Sequence, residues 1–323
     1  MEMHKRLILI AVILVIIGAV ICGISFSALG SGFRSLSTAT LEMNTYEVKD
    51  DFRDISIDGD EEEIRFLPSK DGRCSVVCYE EEQALHTVSV ENDTLKIASP
   101  KDKGNKKNWF LHIGVWTESP TITVYLPEDE YGRLSIDSDT GDVEIPDSFR
   151  FREIKVELDT GDINCSASAE KTLALRTDTG DIAISDLRAG EVSLSTDTGD
   201  LLVSHAECDG AVSVLTDNGQ TDLEALRCRD FRSVGDTGDI SLKNVLVSGT
   251  FYIERNTGDV RFDGCDAESI IIKTDTGDVT GSFLTEKIIF TETDTGDVRV
   301  PKSITGGPCE ITTDTGDIKI TVK

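Results

Sequence analysis

One short motif constrains this chain more than any other feature. Asp-Thr-Gly-Asp starts at Asp139, Asp159, Asp178, Asp197, Asp236, Asp275, Asp294 and Asp314, with degenerate copies at Asp217 (Asp-Asn-Gly-Gln) and Asn256 (Asn-Thr-Gly-Asp). Successive starts lie 20, 19, 19, 20, 19, 20, 19, 19 and 20 residues apart. A near-constant period of this size is the mark of a solenoid, whose units bury their apolar faces by stacking on one another.

The interior of each unit reads as strand. Apolar pairs follow the motif at a spacing of two, as in Ile182/Ile184, Leu201/Val203 and Ile318/Ile320, and others precede the next motif, as in Leu173/Leu175 and Ile270/Ile272. Period-two alternation belongs to a strand with one face buried. A lone apolar residue near mid-unit (Leu187, Leu226, Val245, Cys265) marks a third, shorter segment. The motif suits a turn, because Gly accepts positive φ and Asp receives hydrogen bonds from amides two residues on. The predicted fold is all-β: a single-stranded parallel β-solenoid (β-helix) of 19–20-residue coils, preceded by one N-terminal transmembrane helix. Ten coils stacked about 4.8 Å apart make a rod on the order of 48 Å long, wound right-handed by default.

The N-terminus predicts a location. His4, Lys5 and Arg6 precede an uncharged apolar run from Leu7 to Ile24. Its length approaches that of a membrane span, and the basic flank favours a cytoplasmic N-terminus. An uncleaved signal anchor is favoured over a cleavable signal peptide cut near Ser25, Ser27 or Ala28. The expected division is a cytoplasmic tip and anchor at 1–30, a linker at 31–45, irregular coils capping the rod at 46–131, and the regular solenoid at 132–323. The expected localisation is the cell membrane, single-pass, with the C-terminal domain extracytoplasmic.

Charge narrows the partners. Sixty Asp and Glu face 32 Lys and Arg, a formal net charge of −28. Nucleic-acid binding is excluded on that balance, since phosphate neutralisation needs clustered basic residues. The first and last motif positions hold 18 of the 60 acids, in two columns. Neighbouring charges one strand apart repel by about 1 kcal/mol in water. Turn amides offset part of this, and bound cations would offset more. A calcium-loaded column is one expectation, built from Asp159, Asp162, Asp178, Asp181, Asp197, Asp200, Asp275, Asp278, Asp294 and Asp297. Thr on both sides of the first Asp, as in Thr177/Thr179 and Thr196/Thr198, suggests either an ice-binding ladder or simply β-propensity at a strand end.

Residues suited to catalysis are sparse. Of eight Cys, Cys165, Cys265 and Cys309 fall at inward positions, and Cys208 and Cys228 fall where adjacent coils would stack. A disulfide between those last two is geometrically open. Cys74 and Cys78 are too far apart along one strand face to share a metal or a bond. The four His (His4, His86, His112, His205) adjoin no nucleophile motif, and no phosphate-binding glycine loop is present. Polysaccharide hydrolysis by paired carboxylates needs one irregular place. The most irregular coil, at Asp217, loses a carboxylate instead of gaining one.

The run Ile122-Thr-Val-Tyr-Leu-Pro127, then Leu134-Ser-Ile136, then repeated Thr-Gly-Asp turns resembles the bacterial putative-adhesin family, LiaG-like domains of unknown function with β-strand repeats. The resemblance covers roughly Phe52 to the C-terminus. It implies a β-strand-repeat fold, often tethered to a membrane at the N-terminus, and brings no catalytic residues and no cofactor. The expected function is therefore a membrane-anchored surface adhesin or envelope-associated scaffold without catalysis. Its expected partners are the membrane, through the N-terminal helix, and a cell-envelope polymer or another surface protein. An envelope-stress sensing accessory and an envelope-polysaccharide enzyme are the alternatives.

Overall fold

The computed structural model describes Gly18 and residues 41–81, 84–100 and 120–323. The segment Leu7–Ile24 otherwise lies outside them, and among the described residues no helix is long and apolar enough to cross a membrane.

Two parallel sheets run the length of a β-solenoid. In each regular coil a long strand ends at the motif, as in Arg188–Thr198, and a short strand such as Leu201–Ser204 follows it. Like positions stack on like: Leu173 on Val192, Leu175 on Leu194, Thr177 on Thr196, and Ile182 on Leu201. Because side chains alternate across a strand, the apolar rows of both sheets face inward and fill one continuous core. Cys165, Cys265 and Cys309 lie in that core, and Cys208 and Cys228 are buried as free thiols.

Two corners are fixed by backbone conformation. At the motif, Gly180 has φ +148°, and a Cβ built there would overlap the carbonyl oxygen of Gly161 in the coil below. Glycine is thus required both by conformation and by the close approach of stacked turns. The opposite corner uses the left-handed region at Asp186, His205, Ala225 and Asn244, with φ of 51–55°, and at Gly264. Asn, Asp and Gly adopt that region at little cost, and Ala225 adopts it at a greater one.

At both ends the order of stacking departs from the order of the chain. Strands Asp54–Asp58 and Glu63–Pro68 lie directly on the first motif coil, pairing Ile55 with Leu134 and Ile64 with Val143. The later strands Thr94–Ala98 and Thr121–Leu126 lie outside them, in parallel. Antiparallel strands Thr87–Glu91, Cys74–Glu81 and Leu41–Val48 then close this end. At the other end the last coil slips beneath the one before it. Gly307–Thr315 pairs with Ser269–Thr276, and Lys287–Thr295 is left outermost. Stacking at the two ends is therefore out of chain order. Burial explains the exchange: the last coil places Cys309, Ile311, Ile318 and Ile320 inward. Its predecessor has the polar Thr291 at the position of Ile311. Covering the more apolar coil removes more apolar surface from water.

Candidate functional site

Three places carry polar chemistry. The first is the motif edge. Its inward Thr is buried at Thr177, Thr196, Thr274 and Thr313. The Thr196 hydroxyl donates to the Gly180 carbonyl at 3.0 Å, and Thr177 donates likewise to Gly161. With one Thr of each pair buried, the edge offers no flat double row of hydroxyls for ice.

The last Asp of each motif works as a rung. The Asp181 amide donates to Asp162 Oδ1 at 2.8 Å, the Asp200 amide to Asp181 Oδ1 at 2.7 Å, and the Asp278 amide to Asp259 Oδ1 at 2.8 Å. The end exchange reorders this ladder: Asp278 accepts from Asp317, and Asp317 from Asp297. Gln220 donates to Asp200 at 2.8 Å but has no carboxylate to pass the ladder on. The first Asp column stands at the surface, where Arg176 reaches Asp178 at 2.7 Å and Asp197 at 3.3 Å. Asp159, Asp275 and Asp294 are exposed. Amide donation and Arg261 hold the Asp239 carboxyl below its usual range, and the Asp297 amide and Lys319 do the same for Asp317. The columns predicted from the repeat thus exist as columns. Among the described residues, however, they bring no three ligand atoms within 4.8 Å of one another.

One departure of the coil at Asp217, the polar Thr221 in an otherwise apolar row, faces a buried cation. Arg255 occupies the place of the inward Thr and is 2% exposed. Its guanidinium donates to Ser233 at 2.8 Å and to the Glu254 carbonyl at 3.0 Å, and Thr221 stands at 3.4 Å. Gly235, in the same column one coil below, leaves the space it fills. Burial without a carboxylate partner pulls the Arg255 pKa down to about 10.

The second place is the outer face of the long-strand sheet. One outward row runs Ala174, Ser193, Ser213, Arg232, Tyr252 and Ile271, and the next runs Arg176, Ser195, Leu215, Val234, Glu254 and Lys273. Three bases face one acid across these twelve positions, with Arg176 paired to Asp178 and Asp197 of the adjoining Asp column and the Tyr252 hydroxyl donating to Glu254 at 2.7 Å. Leu215 is 43% exposed, and the Arg232 guanidinium carbon lies 4.6 Å from the centre of the Tyr252 ring. An aromatic ring with a cation over it, in a field of hydroxyls, is a flat surface able to stack and hydrogen-bond.

The third place is inside the N-terminal cap. His86 is buried between two carboxylates: Nδ1 lies 2.5 Å from Glu80 and Nε2 lies 3.0 Å from Glu62. Glu80 also accepts from Tyr46 at 2.6 Å and Asn44 at 2.9 Å. Glu62 accepts from the Asp60 and Glu61 amides and from Ser99. Burial works to raise the Glu62 pKa. The hydrogen bonds from His86, the Asp60 amide and Ser99 overcome it and hold the group at about 2. Burial likewise works to lower the His86 pKa, and the two carboxylates raise it further than burial lowers it. Burial pushes the neighbouring Cys78 thiol up to about 12.

Ser99 Oγ stands 3.3 Å from His86 Nε2, so Ser99, His86 and Glu80 have the outline of a nucleophilic triad. The chemistry does not follow. Carboxylates at both ring nitrogens keep both protons on the imidazole, and an imidazolium cannot take the serine proton. Sequence reasoning does not find this cluster, because Glu62, His86 and Ser99 stand outside the strands, and Glu62 and Ser99 lie far from Glu80 in the chain. The available signal was an acid continuing the inward row Cys74, Val76, Cys78, Glu80.

A family model described as Toastrack DUF4097 matches residues 52–213 and 207–323. No curated protein sequence matches the chain. Among solved structures, it is similar to a putative adhesin from Bacteroides fragilis (16% identity, 87% of this chain and 97% of that one, TM-score 0.40). It is also similar to a putative lipid binding protein from Parabacteroides distasonis (14% identity, 88% and 98%, TM-score 0.44). A third is a putative cell adhesion protein from Clostridium sporogenes (12% identity, 88% and 100%, TM-score 0.21). At such identities and scores these names describe those proteins alone.

Proposed function

Because the chain belongs to the Toastrack DUF4097 family, whose β-strand repeats it builds into a solenoid, we propose that it is a non-catalytic surface-binding rod. The binding face is the outer strip of the long-strand sheet centred on Ser213, Arg232 and Tyr252. The partner is a cell-envelope polysaccharide. The observation that carries this reading is the strip itself, two outward rows with one acid in twelve positions, in which serines surround a tyrosine with a guanidinium against its ring. Sugar rings stack on an aromatic face and hydrogen-bond to hydroxyls and guanidinium groups.

The rod is held at the cell membrane by the apolar span Leu7–Ile24, with the N-terminus cytoplasmic and the solenoid outside. The basic flank at His4, Lys5 and Arg6 supports that orientation. Absence of catalysis is supported by the two carboxylates that occupy both ring nitrogens of His86.

The test is co-sedimentation of the full chain with isolated cell-wall polysaccharide. Tyr252→Ala combined with Arg232→Ser is expected to reduce binding at least tenfold while leaving the melting temperature within about 2 °C, as surface substitutions do. Unchanged binding would remove the strip from the proposal.

A further inference from the structure

We propose that Cys78, Glu80 and His86 form a site for one zinc-class divalent ion inside the N-terminal cap, with Glu62 orienting the histidine from the second sphere. Among the described residues this is the one group whose sulfur, nitrogen and carboxylate ligand atoms all lie within 4.8 Å of one another, and all three residues are buried. Cys78 and Glu80 stand two apart on the strand Cys74–Glu81 and so share its inward face. His86 arrives from the segment that follows, and its backbone amide donates to the same Glu80 carboxylate at 2.6 Å.

Thiolate, imidazole and carboxylate together are the donor set of a borderline-soft ion such as Zn²⁺. Three protein ligands leave the fourth tetrahedral position to a solvent molecule. The second sphere is already in place. Glu62 accepts from His86 Nε2 and is itself held by Ser99 and two amides. That carboxylate–histidine pairing fixes the ring and presents Nδ1 to the ion.

Protons and charge balance. Without the ion the cluster holds two carboxylates, an imidazolium and a neutral thiol, a sum of −1. Binding releases the Cys78 thiol proton and the His86 Nδ1 proton, and Nε2–H stays with Glu62. Two carboxylates, a thiolate, a neutral imidazole and a dication again sum to −1. No charge is added to a buried place, so the burial cost that opposes a lone thiolate does not oppose the exchange. Ligand atoms on a tetrahedral ion lie about 3.3–3.8 Å apart given bonds of about 2.0–2.3 Å. His86 Nδ1 and the Glu80 oxygen therefore separate by about 1 Å as the ion takes the place of the shared proton.

The site would join strands Leu41–Val48 and Cys74–Glu81 to the segment bearing His86, closing the end of the rod that antiparallel strands cover. The experiment is titration of the chelator-stripped full chain with Co²⁺, then displacement by Zn²⁺. One equivalent is expected, with a thiolate-to-cobalt charge-transfer band and two protons released per ion near neutral pH. Cys78→Ala is expected to lose the band, while Cys74→Ala, four residues earlier on the same face, keeps it. If Cys78→Ala fails to fold, Glu62→Gln serves instead: the band persists and affinity falls about 10–100-fold. A folded wild-type chain that takes up no Co²⁺ at stoichiometric concentration overturns the proposal. So does a band that survives Cys78→Ala, or an affinity that Glu62→Gln leaves unchanged.

Discussion

The motif edge and the outer face of the long-strand sheet belong to the same strands yet behave as opposites. At the edge, most coils repeat the same residues, and three of the positions are engaged: the inward Thr on a glycine carbonyl, Gly against the coil below, the last Asp on the next amide. On the outer face, the residues at one register differ from coil to coil, from Ser213 to Arg232 to Tyr252. Repetition marks what holds the rod together. Variation at a fixed register marks what is free to meet a partner. Part of the acidity of the chain is thus a consequence of stacking, since the last Asp of the motif serves as a rung.

The comparison can be broken most severely at the edge. Gly180→Ala puts a Cβ into the Gly161 carbonyl at φ +148°, and it is expected to cost about 3 kcal/mol or more in chemical unfolding. A loss below about 1 kcal/mol would mean the turns are not close-packed.

Next in size is the buried guanidinium. Arg255→Ala removes the donor to the Ser233 hydroxyl and to the Glu254 carbonyl and empties the space beside Gly235. It is expected to cost about 2–4 kcal/mol in chemical unfolding. A loss below about 0.5 kcal/mol would mean that the buried guanidinium does not hold this stretch of the column.

At the opposite corner, Ala225 holds φ 55° where its column otherwise carries Asp, His, Asn and Gly. Ala225→Gly relieves a left-handed alanine and is expected to stabilise by about 0.5–1 kcal/mol after the added freedom of the unfolded chain is subtracted. Any loss of stability contradicts the corner assignment.

The smallest expected effect separates rungs from ions. If amide hydrogen bonds suffice to hold Asp162, Asp181 and Asp200 in their column, Ca²⁺ and Na⁺ at matched ionic strength shift the melting temperature equally. A distinctly larger rise with Ca²⁺ returns the column to the cation expectation.

Much of the fold was legible, because the core is written in local alternation around a fixed period. Ile182, Leu201 and Val203 announce their burial without reference to distant residues. The end exchanges were not legible. Whether Cys309 or Ile289 stacks on Ile270 depends on which whole coil buries more apolar surface, a comparison no local pattern contains. The Asp217 irregularity was visible as a departure, but the partner of its Thr221 sits 34 residues away in Arg255. The His86 cluster was hidden for the same reason, since Glu62, Glu80 and His86 converge only through cap strands that pair out of chain order.

The most direct test sets the two regions against each other in one binding assay with isolated cell-wall polysaccharide. One variant carries Tyr252→Ala and Arg232→Ser on the outer face. The other carries Asp159→Asn, Asp275→Asn and Asp294→Asn at the motif edge, where all three side chains are exposed. The expected result is at least tenfold weaker binding for the first and binding within about twofold of wild type for the second, with both folded. Loss of binding through the edge variant, with the outer-face variant intact, would contradict the account.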